Sequence, residues 1–354
     1  MNKSPNMNEN NNSRITAKAR GFRGPSSVLI AVVVLSLLLT FLTPHFLTLE
    51  NIQVLAYGVA ILALVAFSQM VVIAAGGMNL SVGAISGLTA VVIGMLMQVY
   101  NVTPAVAIAA GLGLGIACGL LNGWLVTRLG LSAFIVTLAT GSIYTGLNLG
   151  LTSGMPYYYL PQQFKDIGVW MFAGIPALFF IMLAFAVIVA FFFARIGFGG
   201  QILAMGANSR AAELAGVPIN RTTILVHIIS GLLASAAGIC LTARLGLAQP
   251  TIGIDFLLAS FAAPIIGGTL LSGGYLSVPG AVFGSLLLTL VSNGLIHLRI
   301  DVYWTQFVSG LIILGAGGID WLRSVNEKNR LRNERWSIAE EIAKHESRNF
   351  QENE

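Results

Sequence analysis

Apolar residues fill this chain in long unbroken blocks, without the alternation or one-sided periodicity of a soluble fold. A bilayer core about 30 Å thick is crossed by roughly 20 apolar residues in helix. Blocks of about that length recur ten times, near 28–43, 54–75, 83–99, 104–126, 132–151, 174–194, 223–243, 258–271, 279–298 and 302–320, the eighth being short. The pattern predicts an all-α polytopic membrane protein with about ten transmembrane helices. The first block follows a basic leader, as a signal peptide would. Thr43-Pro44-His45-Phe46 offers no small-residue cleavage site, however, so an uncleaved span is expected.

Two places break the apolar pattern. Gly76-Gly77-Met78-Asn79-Leu80-Ser81-Val82-Gly83 interrupts the stretch from about 54 to 97. Gly267-Gly268-Thr269-Leu270-Leu271-Ser272-Gly273-Gly274 separates the eighth and ninth blocks. Backbone freed at membrane depth must be satisfied by protein or a watery cavity, and glycine-broken segments in two halves of a transporter mark its path. Tight turns at the inner surface are the alternative. Asn79 and Ser81 in the first break, Gln69 one or two turns before it, and Thr269 and Ser272 in the second are the candidate polar lining. A weak internal match adds to this. Leu121-Asn122-Gly123 through Leu129 can be laid on Ser292-Asn293-Gly294 through Ile300. The two stretches lie five spans apart, so they run in opposite directions, as in an inverted repeat of two five-helix halves; two Asn-Gly pairs in a glycine-rich chain also arise by chance.

Composition narrows the class. Of 354 residues, 56% are hydrophobic and 9% charged, against about 25% charged in soluble domains, and the mean hydropathy is +0.82. Twenty of the 33 charges lie in residues 1–25 and 321–354, which leaves thirteen for the 295 residues between. The chain therefore divides into a basic tail (1–27), a transmembrane domain (28–322) and a charged tail (323–354). A soluble surface, a disordered chain, nucleic-acid binding by a basic surface and a secreted disulfide scaffold are all excluded. Cys118 and Cys240 sit inside apolar runs and read as buried thiols, and no clustered ligands suggest a metal or cofactor.

Lys and Arg set the orientation. With the N-terminus inside and ten spans, sixteen basic residues fall in inside segments. Only Lys165, Arg244 and Arg299 fall outside. Both termini are expected in the cytoplasm. The longest outside segment, Thr152 to Ala173, carries Tyr157-Tyr158-Tyr159, which suits an aromatic belt or a docking surface for an extracytoplasmic partner. No Asp, Glu, Lys or Arg is expected in the middle of any span, which argues against ion-coupled transport. His227 is the one ionisable side chain expected inside a span, where a hydrogen bond to a neighbouring helix or a relay role would occupy it. The 40 glycines read mostly as helix-packing residues.

The longest charged inside connection, Arg195 to Arg221, contains a short helix with marked ends. Asn208 can N-cap it, Gly216 suits the left-handed position after it, and Pro218 stops it. Ala211, Ala212, Leu214 and Ala215 form a small apolar face flanked by Arg210 and Glu213. So short a helix persists only when docked, either on the bundle or on a cytoplasmic partner. Ser209, Arg210, Ala211, Ala212, Glu213, Leu214, Ala215 and Gly216 are the candidate coupling residues.

Three stretches resemble the sugar-type permease subunits of bacterial ABC importers, the family of ribose, xylose, arabinose, galactose and autoinducer-2 permeases. They are Gly77-Met78-Asn79-Leu80-Ser81-Val82-Gly83; the run from Gly206-Ala207-Asn208 to Gly216-Val217, with Gly231–Gly238 after it; and Ala248-Gln249-Pro250-Thr251 with Gly253, Gly267-Gly268-Thr269 and Gly273-Gly274. The resemblance spans about 28–322. Asn79 stands where the family usually has Asp, Leu257 and Ala259 fall where acids are common, Tyr275-Leu276 replaces a small polar stretch, and the C-terminal tail is longer than typical. The resemblance implies import of a monosaccharide or similar small polar solute across the bacterial inner membrane. It also implies cytoplasmic ATP-binding subunits, an extracytoplasmic sugar-binding protein, and a second permease copy or paralogue. The amides and hydroxyls of the candidate lining suit a neutral sugar, because they exchange hydrogen bonds with it at no charge-desolvation cost. The chain has no Gly-x-x-x-x-Gly-Lys-Ser/Thr loop, so ATP hydrolysis would belong to the partner. An ATP-independent secondary transporter or facilitator is the alternative. A membrane enzyme would need clustered His, Asp or Glu, and the four His at 45, 227, 297 and 345 are scattered.

Overall fold

The computed structural model describes residues 26–44 and 46–300, with eight helical positions between 304 and 318. Residues up to Ser309 form one compact unit and those from Gly310 another. The helices are α1 (Ser26–Leu42), α2 (Leu49–Ala74), α3 (Val82–Gln98), α4 (Pro104–Leu129), α5 (Ala133–Thr152), α6 (Gln162–Val169), α7 (Ala177–Arg195), α8 (Gly197–Ala207), α9 (Ser209–Leu214), α10 (Ile219–Leu245), α11 (Phe256–Ile266) and α12 (Val278–His297). A two-residue-per-strand hairpin, β1 (Met171–Phe172) and β2 (Ile175–Pro176), precedes α7. The chain is all-α in character. Nine of the ten expected blocks coincide with helices. Six of these, α2, α4, α5, α7, α10 and α12, are long and apolar enough to cross a membrane, whereas α1, α3 and α11 are shorter. The tenth block, most of the tail 1–27 and the whole of 323–354 lie outside the described residues, so the ten-span count is part of the proposal below.

Local chemistry sets the helix ends. Thr48, Ser132 and Ser277 cap α2, α5 and α12 by accepting backbone N–H bonds from Asn51, Ile135 and Gly280. α2 is buried on all sides from Ala63 to Ala74, with α7, α10, α11 and α12 around it. α4 lies antiparallel on α10 through a glycine every fourth residue. A Cβ at Gly115 would meet Gly231 and Ser235, one at Gly119 the His227 carbonyl, and one at Gly123 Ile224. Gly113, on the opposite side, faces open space. Without a hydrophobic driving force in lipid, such close backbone approach is what binds helices.

These contacts sort the described basic residues to two ends. Arg128, Arg195, Arg210 and Arg221 lie at the end shared by the α4 C-terminus and the α10 N-terminus. Lys165, Arg244 and Arg299 lie at the other, where Arg244 stacks 3.8 Å over the Tyr57 ring and Lys165 approaches Gly246. This is the division on which the orientation expectation rests.

α10 also serves as a depth gauge. Arg221 and Arg244 are 23 residues apart, about 35 Å at helical rise, close to the core thickness. The Ser86 hydroxyl of α3 donates to the Ala234 carbonyl at 2.7 Å, near the middle of that span. One turn earlier in α3, Gly83 packs on the Gly253 carbonyl, and a Cβ added there would lie 3.6 Å from the Phe256 Cβ. The segment after α10 is therefore no surface loop. It dips along α3, with Ala248 against Gly94, Ile252 against Gly87 and Gly253 against Gly83, and only then does α11 begin. A run of turns over 250–255 leads directly into α11, the helix of the eighth apolar block. Asp255, where the turns meet α11, is exposed on the described unit.

Candidate functional site: a polar seam and a capped loop

Between α2 and α3 the chain turns back into the bundle, and the side chains of the first break are bonded to one another. Asn79, fully buried, donates from Nδ2 to the Ser230 hydroxyl at 2.8 Å. Its Oδ1 accepts from the Ser81 backbone N–H at 2.9 Å and the Ser81 hydroxyl at 2.7 Å. Asn122 of α4 donates to Ser81 Oγ at 2.8 Å and accepts from the Tyr144 hydroxyl at 3.2 Å. Ser68 bonds to the Ser230 carbonyl at 2.8 Å. With its amide oriented to suit its neighbours, Gln69 donates to the Asn79 carbonyl at 2.9 Å and accepts from the Asn79 N–H at 3.3 Å. Five helices, α2, α3, α4, α5 and α10, thus meet on one buried polar seam. Buried polar groups stay only when paired, and these are.

Gln69, Asn79 and Ser81 are therefore brought together, but in this conformation none is open to solvent. Thr269 is equally buried, and its hydroxyl has no partner among the described residues. Ser272 stands apart on an exposed turn. Sequence reasoning missed Ser68, Tyr144 and Ser230. Each lies in an ordinary apolar span, and no local signal marks it. His227 is buried, and its Nδ1 makes no hydrogen bond among the described residues, so the expected bond to a neighbouring helix is not formed at that atom. Cys118 and Cys240 are buried.

The second break meets the first beside the segment that leads into α9. Gly274 N–H donates to the Ala74 carbonyl at 2.9 Å. Gly206, near the end of α8, packs on that same carbonyl and on Gly274, and Gly273 approaches both Gly206 and Gly76. A side chain on Gly206 would separate these three backbones. α9 follows directly. Its N-terminus is capped as the sequence predicts, by Asn208 Oδ1 accepting from Ala211 N–H at 3.0 Å. Gly216 takes φ +86°, a left-handed conformation that any Cβ strains. One expectation changes. Ala212 turns inward and is 5% exposed, while Leu214 is 85% exposed beside exposed Ala211 and Ala215. Ala212 therefore anchors α9 to the body, and the outward apolar face is Ala211, Leu214 and Ala215.

On the opposite surface, Tyr157 is held by Ala248 through paired backbone bonds of 2.8 and 3.0 Å, whereas Tyr158 and Tyr159 are exposed.

A bundle of long apolar helices with a buried polar seam and a capped outward helix beside both glycine breaks is the architecture of a polytopic membrane protein. Residues 51–317 match the family described as branched-chain amino acid transport system / permease component, and the chain belongs to that family, whose members are transport components and not enzymes. It is 37% identical to the ribose import permease protein of Bacillus subtilis, over 83% of this chain and 92% of that one. It is 32% identical to the autoinducer 2 import system permease protein of Escherichia coli, over 86% and 89%. It is 33% identical to the fructose import permease protein of Rhizobium meliloti, over 85% and 87%. No solved structure gives a significant match.

Proposed function

We propose that the chain is the membrane-spanning permease of an ATP-driven importer for a monosaccharide or similar small polar solute in a bacterial inner membrane. The observation that carries this reading is the near end-to-end similarity to import permeases for ribose and fructose. Its partners are cytoplasmic ATP-binding subunits docked on α9, an extracytoplasmic sugar-binding protein, a second permease copy or paralogue, and the surrounding lipid. Ten spans put both termini in the cytoplasm, on the side of Arg128, Arg195, Arg210 and Arg221. The opposed directions of α4 and α12, each with an Asn-Gly pair, support two inverted halves. Asn122 bonds Ser81, and Asn293 bonds Asn51 at 2.7 Å.

In this account Ser209–Gly216 receive the ATPase, with Ala212 as anchor. Their movement passes through Gly206 to Gly76 and to Gly273-Gly274, so the two breaks move together. Gln69, Asn79 and Ser81 form the closed seam of the path, with Thr269 and Ser272 toward its inner mouth. An ATP-independent transporter is the second reading. The deciding experiment is uptake of a panel of labelled pentoses and hexoses by cells carrying the chain with its ATPase. Replacing the ATPase phosphate-loop Lys by Ala should abolish uptake. Unchanged uptake would establish the second reading.

A further inference from the structure

The seam and the capped loop leave α6 unused. This short helix is two-sided. Phe164 and Gly168 are buried, with Gly168 against the Ala243 carbonyl of α10, while Gln162, Gln163 and Asp166 are exposed. Ala243 is the neighbour of Arg244, so α6 stands at one end of the α10 depth gauge, at headgroup level. The Trp170 carbonyl accepts from the Ala177 N–H at 2.9 Å, which sets the start of the apolar span α7 at the same level. Between α6 and α7 runs an apolar groove of about 660 Å³, lined by Gln163 and Asp166 of α6 and by Ile181 and Ala184 of α7. Its aromatic wall includes Phe172 and Phe180, edge to face at 5.8 Å. Ala184 is seven residues into α7, about 10 Å at helical rise, well inside a hydrocarbon core about 30 Å thick. The groove therefore opens at headgroup level and runs into hydrocarbon, as a lipid chain does below its headgroup. Left unfilled, its lining would forfeit contacts on one side.

We propose that this groove binds a phospholipid with a primary-amine headgroup, phosphatidylethanolamine, in the leaflet on the Lys165 and Arg244 side, with an acyl chain along α7 and the ammonium on Asp166. The charge at the rim selects the headgroup. Gln162 Nε2 donates to Asp166 Oδ1 at 2.8 Å and orients the carboxylate, while the stem of Lys165 runs along Gly246 instead. A primary ammonium brings three N–H donors to that carboxylate, in charge-assisted bonds. A trimethylated ammonium brings none, and an anionic headgroup is repelled. The Gln163 amide and the Trp170 indole N–H, both on the groove, are donors suited to the lipid phosphate, and an interfacial Trp is at its usual depth there. The inference needs only α7 in a membrane and stands apart from the solute that the permease carries.

The test is lipid retention by the full chain in mild detergent, counted by native mass spectrometry. Phosphatidylethanolamine, phosphatidylcholine and phosphatidylglycerol with identical acyl chains are offered in turn. Wild type should retain phosphatidylethanolamine severalfold more than either of the others. Asp166→Asn should bring it down to the level of phosphatidylcholine. Ala184→Trp, which fills the groove, should lower retention of all three and abolish the preference. Val187→Trp, exposed on α7 and off the groove, should behave as wild type. Ile181→Trp reads the same groove if Ala184→Trp fails to assemble. Equal retention of the three lipids by wild type, or a preference that survives Asp166→Asn or the groove-filling Trp, overturns the proposal. Neither result touches the permease reading, which wild-type ATP-dependent uptake tests separately.

Discussion

At the scale of single residues, Asn79 decides most. Its three side-chain bonds join the α2–α3 turn to α10 and to Ser81, which in turn holds Asn122. Asn79→Leu takes the acceptor from the Ser81 N–H and hydroxyl and one partner from the Ser230 hydroxyl, which keeps Ser68 Oγ at 3.0 Å, at about 1–3 kcal/mol for each buried group left unpaired. The expected outcome is a thermal midpoint in detergent lowered by several degrees, with uptake lost. Asn79→Asp keeps the acceptor for Ser81, and the Ser230 hydroxyl can turn to donate to it. It should retain most of the stability and uptake that Leu removes. Equal stability of the Leu variant and wild type would show that the seam carries no energy. The candidate lining was legible in the sequence as polar residues at a glycine break. That those residues would be sealed against one another was not, because Ser68, Asn122, Tyr144 and Ser230 lie 11 to 151 residues away in spans that read as apolar.

Elements were legible in proportion to how far their function coincides with a local pattern. Long spans follow from length and apolarity alone, and nine of ten blocks are helices. The capped α9 follows from Asn208, Gly216 and Pro218, whose roles are set by backbone conformation. The course of the chain between α10 and α11 was not legible, because Gly246–Asp255 contains Gln, Pro, Thr, two Gly and an Asp and reads as an ordinary loop; only the packing on α3 shows where it lies. The inward turn of Ala212 was likewise hidden, since six residues of helix do not reveal which side faces the body. The α4–α10 pair gives a direct check of element packing. Gly119→Leu should drive the helices apart and destabilise by about 1–3 kcal/mol or more, the usual cost of overpacking, while Gly113→Leu, facing open space, should leave the melting midpoint unchanged. Matching losses in the two variants would mean that the glycine strip does not carry the helix contact.

For the whole molecule, the proposed coupling runs through adjoining backbones: α9 follows α8, whose Gly206 packs on the Ala74 carbonyl ahead of the first break and on Gly274 of the second, so in that proposal a displacement of α9 reaches both. The outward face of α9 is small, and Leu214 is its one large side chain. Leu214→Asp should weaken the ATPase contact while the fold stays intact, because Leu214 is solvated on the free chain. Ala212→Trp should instead unseat α9 and lower stability, as inward overpacking does.

The central claim is tested most directly by reconstituting the permease with its ATPase and sugar-binding protein in proteoliposomes and measuring sugar uptake against ATP hydrolysis. The account predicts ATP-dependent uptake by wild type. With Leu214→Asp, uptake should fall at least tenfold and the ATPase should be lost in pull-down, while the melting midpoint is unchanged. ATP-independent uptake by wild type, or full uptake and retained ATPase with Leu214→Asp, would contradict it.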